Sequence, residues 1–213
     1  IIETLTPKIS FRLNPGNNMD DYSNSSKIIN ANNVFNINRL GISNDFEAGK
    51  SFTLGLDYKF DPLENEILSD ESENDLSPKI KDKYLEIKLA TVVRDKNEDN
   101  IPISSTINRK NSDLFGSINN MLFDNINFRY DFSLDNDLQT LNSNSISTEI
   151  EINNFLTSFN YIETRNELGT THLLSNSTKY EFNDNNSLTF STRRNKEINL
   201  TEYYNLSYEY KND

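Results

Sequence analysis

Side chains from Thr4 to Asn14 sort by parity: Leu5, Pro7, Ile9, Phe11 and Leu13 are apolar, while Thr4, Thr6, Lys8, Ser10, Arg12 and Asn14 are polar. A period of two marks a strand with one face in an apolar medium. The pattern returns at 51–60, where Phe52, Leu54, Leu56, Tyr58 and Phe60 alternate with Ser51, Thr53, Gly55, Asp57 and Lys59. It returns again at 126–134, where Ile126, Phe128, Tyr130, Phe132 and Leu134 alternate with Asn127, Arg129, Asp131 and Ser133. Residues 84–95 obey it with Thr91 as the exception, and weaker versions cover 112–119, 146–152, 155–163, 174–182, 188–194 and 204–210. With no convincing 3.6-residue period anywhere, the chain is expected to be all-β, with about ten strands.

The links alternate as well. Long polar stretches at 15–50 and 96–111 are interleaved with tight ones at 121–125 and 183–186, where Asn and Asp supply turn chemistry. Short turns at one end and long loops at the other describe an antiparallel up-and-down meander. The segment 61–82 departs from this rule. It spans 22 residues where a short turn is expected and carries seven acidic side chains before its first lysine, which suits a solvated insertion. Pro7 donates no ladder hydrogen bond, so strand pairing is expected to break there.

Composition then decides what the apolar face meets. Only 34% of the chain is hydrophobic, too little for a thick conventional core, yet 13 Phe and 10 Tyr are too many aromatics for a disordered chain. The strand lengths suit a tilted bilayer crossing. Aromatics collect at strand ends (Tyr58, Phe60, Phe182, Tyr208, Tyr210), as an interfacial girdle requires. The polar parity is rich in charge, including Lys8, Arg12, Lys88, Arg129 and Arg193. These features predict a transmembrane β-barrel segment, residues 1–213 forming part of a larger barrel in which 15–50 and 96–111 are extracellular loops. A soluble β-rich binding module is the alternative, with the charged face in water. The chain opens without an initiator Met or an apolar leader, so it is read as an internal piece of a longer protein.

Little catalytic or metal chemistry is visible. The net charge of −12 disfavours a nucleic-acid partner, and zero cysteines exclude a disulfide or thiolate site within these residues. The single histidine, His172, sits in ELGTTHLL, read as a polar link, and has no partners at metal or triad spacing. No cofactor, metal site or enzymatic activity is expected.

The span VFNINRLGISNDFEAGKSFTLGLDYKF resembles the barrel domain of the lipopolysaccharide-assembly outer-membrane protein family LptD (OstA). The matching points are Phe35, Arg39, Leu40, Gly41, Asp45, Gly49 and the strand Phe52-Thr53-Leu54-Gly55-Leu56. YLEIKLATVVRDK, RKNSDLFGSIN and NINFRYDFSLDND resemble successive strands of that barrel, and YNLSYEYKND resembles the strand leading to the family's paired cysteines, which have no counterpart here. The resemblance implies an up-and-down arc of a large barrel in the Gram-negative outer membrane, which inserts lipopolysaccharide into the outer leaflet. It implies an LptE-like lipoprotein plug in the lumen and a periplasmic Lpt bridge reached through a separate N-terminal domain. On this reading Lys8, Arg12, Lys88, Arg129 and Arg193 face the lumen, toward lipopolysaccharide or the plug. Phe11, Leu54 and Phe128 face outer-membrane lipid. A diffusion pore or transporter barrel is the rival function on the same architecture.

Overall fold

The computed structural model describes residues 1–15, 28–41, 47–62, 83–166 and 169–211. Most of the acidic insertion 61–82 lies outside them, as does part of the link 15–50. Ten strands form a single antiparallel sheet in the order of the chain. They are β1 (Ile2–Asn14), β2 (Gly49–Asp61), β3 (Leu85–Arg94), β4 (Leu114–Phe123) and β5 (Ile126–Leu134), followed by β6 (Leu141–Ile152), β7 (Phe155–Asn166), β8 (Gly169–Asn183), β9 (Asn186–Asn195) and β10 (Leu200–Tyr210). β1 and β10 end the sheet without pairing to each other, so the chain forms an open arc of a barrel wall.

Every strand expected from the period of two is present, and most run longer than the pattern suggested. Residues 121–123, read as turn, extend β4. Asp124 and Asn125 alone make the connection to β5. Pro7 corrects a second expectation. Register runs unbroken from Ile2↔Asp61 through Pro7↔Leu56 to Asn14↔Gly49. β1 borders the sheet on one side only, so alternate N–H groups point away from β2 and one can be dispensed with. The irregularities fall elsewhere, at Asn120/Phe123, Ser133/Leu134, Glu181/Asn183 and Thr201/Tyr203.

Asn and Asp make the turns at 124–125, 153–154 and 184–185, and Asn153 and Asn199 take left-handed conformations with φ of 51° and 53° that most side chains avoid. Another finding concerns His172, which lies in β8 opposite Glu163 of β7 rather than in a link. Period-two reading lost it because His172 and Thr170 are polar on the apolar parity.

One face of the sheet is apolar and exposed: Phe11, Leu54, Phe155, Phe190 and Tyr208 all stand open. Three of its aromatics cluster at the short-turn end of β7 and β8. Phe155 and Tyr180 face each other at 4.5 Å between ring centroids, and Phe182 meets Tyr180 edge-on at 4.9 Å. Each such pair contributes about 0.5–1.5 kcal/mol beyond burial, so Tyr180→Ala should cost about 1–3 kcal/mol. Urea unfolding of the full-length protein in liposomes reads this directly, and a loss indistinguishable from zero rejects the cluster as a stabilising girdle.

Toward the long-loop end of β6–β8 the same face turns polar. Glu163 accepts hydrogen bonds from Asn144 Nδ2 at 2.9 Å and Tyr161 Oη at 3.0 Å, and His172 Nε2 lies 2.9 Å from its carboxylate.

Candidate functional site

The opposite, inner face is covered over half its width by the chain itself. Segments 28–41 and 97–113, from the connections that precede β2 and β4, fold back onto β1–β5. They supply Ile29, Ala31, Val34, Leu40, Ile101 and Ile107, which form a small core with Ala90, Val92 and Phe115 of the sheet. Ala90 and Val92 are apolar on the polar parity of β3, and this gives the links a dry seat.

Glu47 holds the two segments together. It lies just before β2, and its carboxylate accepts Arg39 Nε at 2.6 Å, a further Arg39 hydrogen bond through Nη2, and Arg94 Nη2. Both guanidinium groups are fully enclosed. Arg39 also donates to the Val34 carbonyl at 3.3 Å, Thr53 Oγ1 at 3.0 Å and Ser51 Oγ at 3.1 Å. Arg94 donates to the Ile107 carbonyl at 2.5 Å and the Ala48 carbonyl at 3.1 Å. Burial would push the Glu47 carboxyl up, but Arg39's hydrogen bond and the charges of Arg39, Arg94 and Arg12 outweigh it and hold the group below the usual carboxylate range. One carboxylate thus joins the first segment, the second segment and strands β2 and β3.

Glycine makes room for the same packing. A Cβ at Gly55 would lie 2.7 Å from Phe35 Cε2 and Cζ and 3.2 Å from the Leu89 carbonyl oxygen. The ring of Phe35 therefore rests on the bare backbone of β2. Lys8 Nζ stands 5.9 Å from that ring's centroid. The glycine and the aromatic are 20 residues apart in the chain and make one contact.

Strand register puts Lys8, Arg12, Lys88, Arg129 and Arg193 on the inner face and Phe11, Leu54 and Phe128 on the outer one, following the chain of pairs Lys8↔Gly55↔Ala90 and Asp57↔Lys88↔Ser117↔Asp131 and onward. Three of the cations gather around segment 28–41 and two do not. Lys8 pairs with Asp57 at 2.5 Å; Arg12 donates to the Asn36 and Ile37 carbonyls at 2.5 and 2.7 Å; Lys88 donates to Asn32 Oδ1 at 3.2 Å and pairs with Glu86. Arg129 pairs with Asp131 at 2.7 Å and Arg193 with Glu202 at 2.9 Å. Each carries a protein partner, and Arg12 and Lys88 work as anchors for the covering segment.

Beyond the covered half, β6–β10 present an inner face dominated by Ser143, Ser145, Ser147, Asn160, Ser175, Ser177, Ser191, Thr189, Asn205 and Ser207. It is hydroxyl-rich, carries Glu149, Glu151, Lys179, Glu181, Arg193 and Glu209 as its charged residues, and has no covering segment among the described residues. At the boundary between the halves sits Asp113, whose Oδ2 accepts from Ser133 Oγ and from Asn142 Nδ2 at 2.9 Å. Burial pushes its carboxyl up, against those hydrogen bonds.

Sequence patterning alone missed Glu47, which lies outside the alternating segments, and gave no role to Asp113, which lies in the weak alternation 112–119. An arginine flanked by apolar residues in a polar link, Val34 to Leu40, was the available signal for Arg39. Among the described residues no group of three or more His, Cys, Asp or Glu is placed to hold a metal ion.

Comparison with known families gives a match between residues 1–186 and the family model described as LptD: LPS transport system D. No curated protein matches the chain.

Proposed function

Because the chain belongs to the LptD family of lipopolysaccharide transport proteins, we propose that its sheet is a length of translocon wall that carries lipopolysaccharide to the outer leaflet of the outer membrane without catalysing a reaction. The observation that carries this reading is the two-faced sheet: apolar and open outside, hydrophilic inside, with half of the inner face packed by the chain's own links. A spanning sheet in lipid must satisfy its backbone groups, so the open edges of β1 and β10 pair with further strands of the same barrel, with one donor fewer at Pro7 on the β1 edge.

Lipopolysaccharide joins sugars and phosphates to acyl chains, and the wall offers a surface for each. The hydroxyl-rich inner face of β6–β10 exchanges hydrogen bonds with sugars one for one. The cations of the inner face supply charge-assisted bonds to phosphate where their carboxylate partners can be displaced, which favours exposed Arg129 over the anchored Arg12. Phe11, Leu54 and Phe128 meet acyl chains. An LptE-like lipoprotein fits beside the uncovered half of the inner face, and the periplasmic bridge delivers its cargo at the short-turn end, which carries the aromatic girdle. Glu163, Asn144 and His172 then mark the outer limit of the apolar band on β6–β8, since charge toward the bilayer midplane costs a few kcal/mol.

Photo-crosslinking side chains in the full-length protein test the assignment. Placed at Ser175 or Asn205, they should capture lipopolysaccharide only while transport is running. Placed at Phe190, they should capture lipid whether or not it is running. Transport-dependent adducts at Phe190 and none at Ser175 or Asn205 would reverse the faces and defeat the proposal. A pore function predicts instead that liposomes containing the protein swell in small sugars.

A further inference from the structure

Where segment 97–113 meets β4, β5 and β6, the inner face forms a half-open cavity of about 370 Å3. That is toward the small end of ligand pockets, which run from roughly 300 to 1,000 Å3. Asp113 lies in its wall, 1% exposed. One carboxylate oxygen, Oδ2, is satisfied twice, by Ser133 and Asn142. The other, Oδ1, is buried and has no hydrogen-bond partner among the described residues. A buried oxygen left in that state is costly, so whatever fills the cavity is expected to donate a hydrogen bond to it.

The rest of the wall narrows the chemistry. Ile28, Ile29, Ile103 and Phe115 give the wall apolar surface, and Thr106, Ser143 and Thr164 give it hydroxyl-bearing residues. That mixture of apolar and hydroxyl-bearing residues suits a ring that carries both C–H and hydroxyl groups. A second carboxylate, Asp135, lies at the same cavity with Arg109 3.8 Å away. Both guanidinium groups at the cavity have carboxylate partners, Arg109 at Asp135 and Arg165 at Glu163 2.6 Å away, while Asp113 adds a further acid, which disfavours an anionic occupant, and the volume exceeds what a single cation needs. We propose that this cavity binds a neutral hexopyranose, with Asp113 Oδ1 accepting one of its hydroxyl protons.

Two sources share this chemistry, a free sugar and a neutral hexose within a glycolipid. The test uses the full-length protein in a sugar-free amine-oxide detergent. Saturation-transfer NMR with methyl glucoside, galactoside and mannoside should show binding of at least one. Glucuronate and glucose 6-phosphate should bind at least tenfold more weakly. Asp113→Asn should weaken the neutral sugar tenfold or more. Ser143→Phe, which fills the cavity from β6 without touching the carboxylate, should abolish binding in a protein of unchanged electrophoretic heat-modifiability. Displacement of the bound hexoside by purified lipopolysaccharide upholds the site and assigns the glycolipid as source, whereas retention upholds it and assigns a free sugar. No signal from any neutral hexoside, equal binding of glucuronate, or binding unaltered in both variants overturns the proposal and leaves a water-filled cavity. Free sugars report on this site alone, so its failure is distinct from failure of the transport reading, which the crosslinks measure.

Discussion

Glu47→Ala should detach both covering segments from the inner face while leaving the ten-stranded sheet standing. The substitution removes the carboxylate that Arg39 and Arg94 share, and with it the hydrogen-bonded counter-charge of two enclosed guanidinium groups. Breaking a buried pair from one side costs about 3–5 kcal/mol. Very little of that falls on the strands, whose ladders do not pass through Glu47, so the loss appears as local opening. Three readouts should move together in the full-length protein: new protease cleavage within 28–41 and 97–113, raised single-channel conductance in planar bilayers, and an unchanged far-UV β signal. Protection equal to wild type would show that the apolar contacts of Ile29, Val34 and Ile107 hold the segments unaided.

Acid should imitate the mutation. The Glu47 carboxyl is held below its ordinary value in the folded state. Its contribution is therefore complete above the unfolded pKa of about 4.3 and is lost as pH falls through the lower folded value. Wild-type protein should accordingly give one cleavage pattern from pH 7 to pH 5 and approach the variant's pattern only below the ordinary carboxylate range. Opening that begins above pH 5 would place the latch on some other group.

Gly55→Val should dislodge Phe35, with a cost of about 1–3 kcal/mol for overpacking. The backbone oxygen of Leu89 limits retreat on one side, and the ring itself blocks the other. Phe35→Ala in the same chain should relieve the clash, so the pair should cost less than the sum of the two single changes. Additive losses would mean that ring and glycine do not meet. The pair also accounts for why the motif's loop aromatic and strand glycine go together: one is the ring, the other its seat.

Alternation made the strands legible because each β residue has only two directions to face, and an apolar medium on one side enforces the choice. The same rule placed Lys8, Arg12 and Lys88 on one face and Phe11 and Leu54 on the other. It could not show that two of those cations anchor a link, since the carbonyls of Asn36 and Ile37 and the amide of Asn32 carry no pattern. Nor could it show the latch. Arg39, Glu47 and Arg94 are brought together by a fold-back whose apolar residues, Ile29 to Leu40 and Ile101 to Ile107, are spaced too irregularly for any period. Pro7 was misread for a related reason. Its cost depends on which neighbour its missing N–H would have served, a property of the sheet and not of the residue. His172 escaped because polar residues interrupt the apolar parity where the outer face leaves its apolar band.

Asn32 carries one more consequence. Its amide reaches Ser117 Oγ and Asp131 Oδ1, both at 3.2 Å, across sequence separations of 85 and 99 residues. All the strand pairings join neighbours in sequence, so the wall can be laid one hairpin at a time, in either direction. The first link cannot finish docking until β4 and β5 are beside β3 in the correct register, because a slip of one residue would turn Ser117 and Asp131 to the far side. Docking of that link is therefore tied to the register of β4 and β5 as well as to the residues of the link itself.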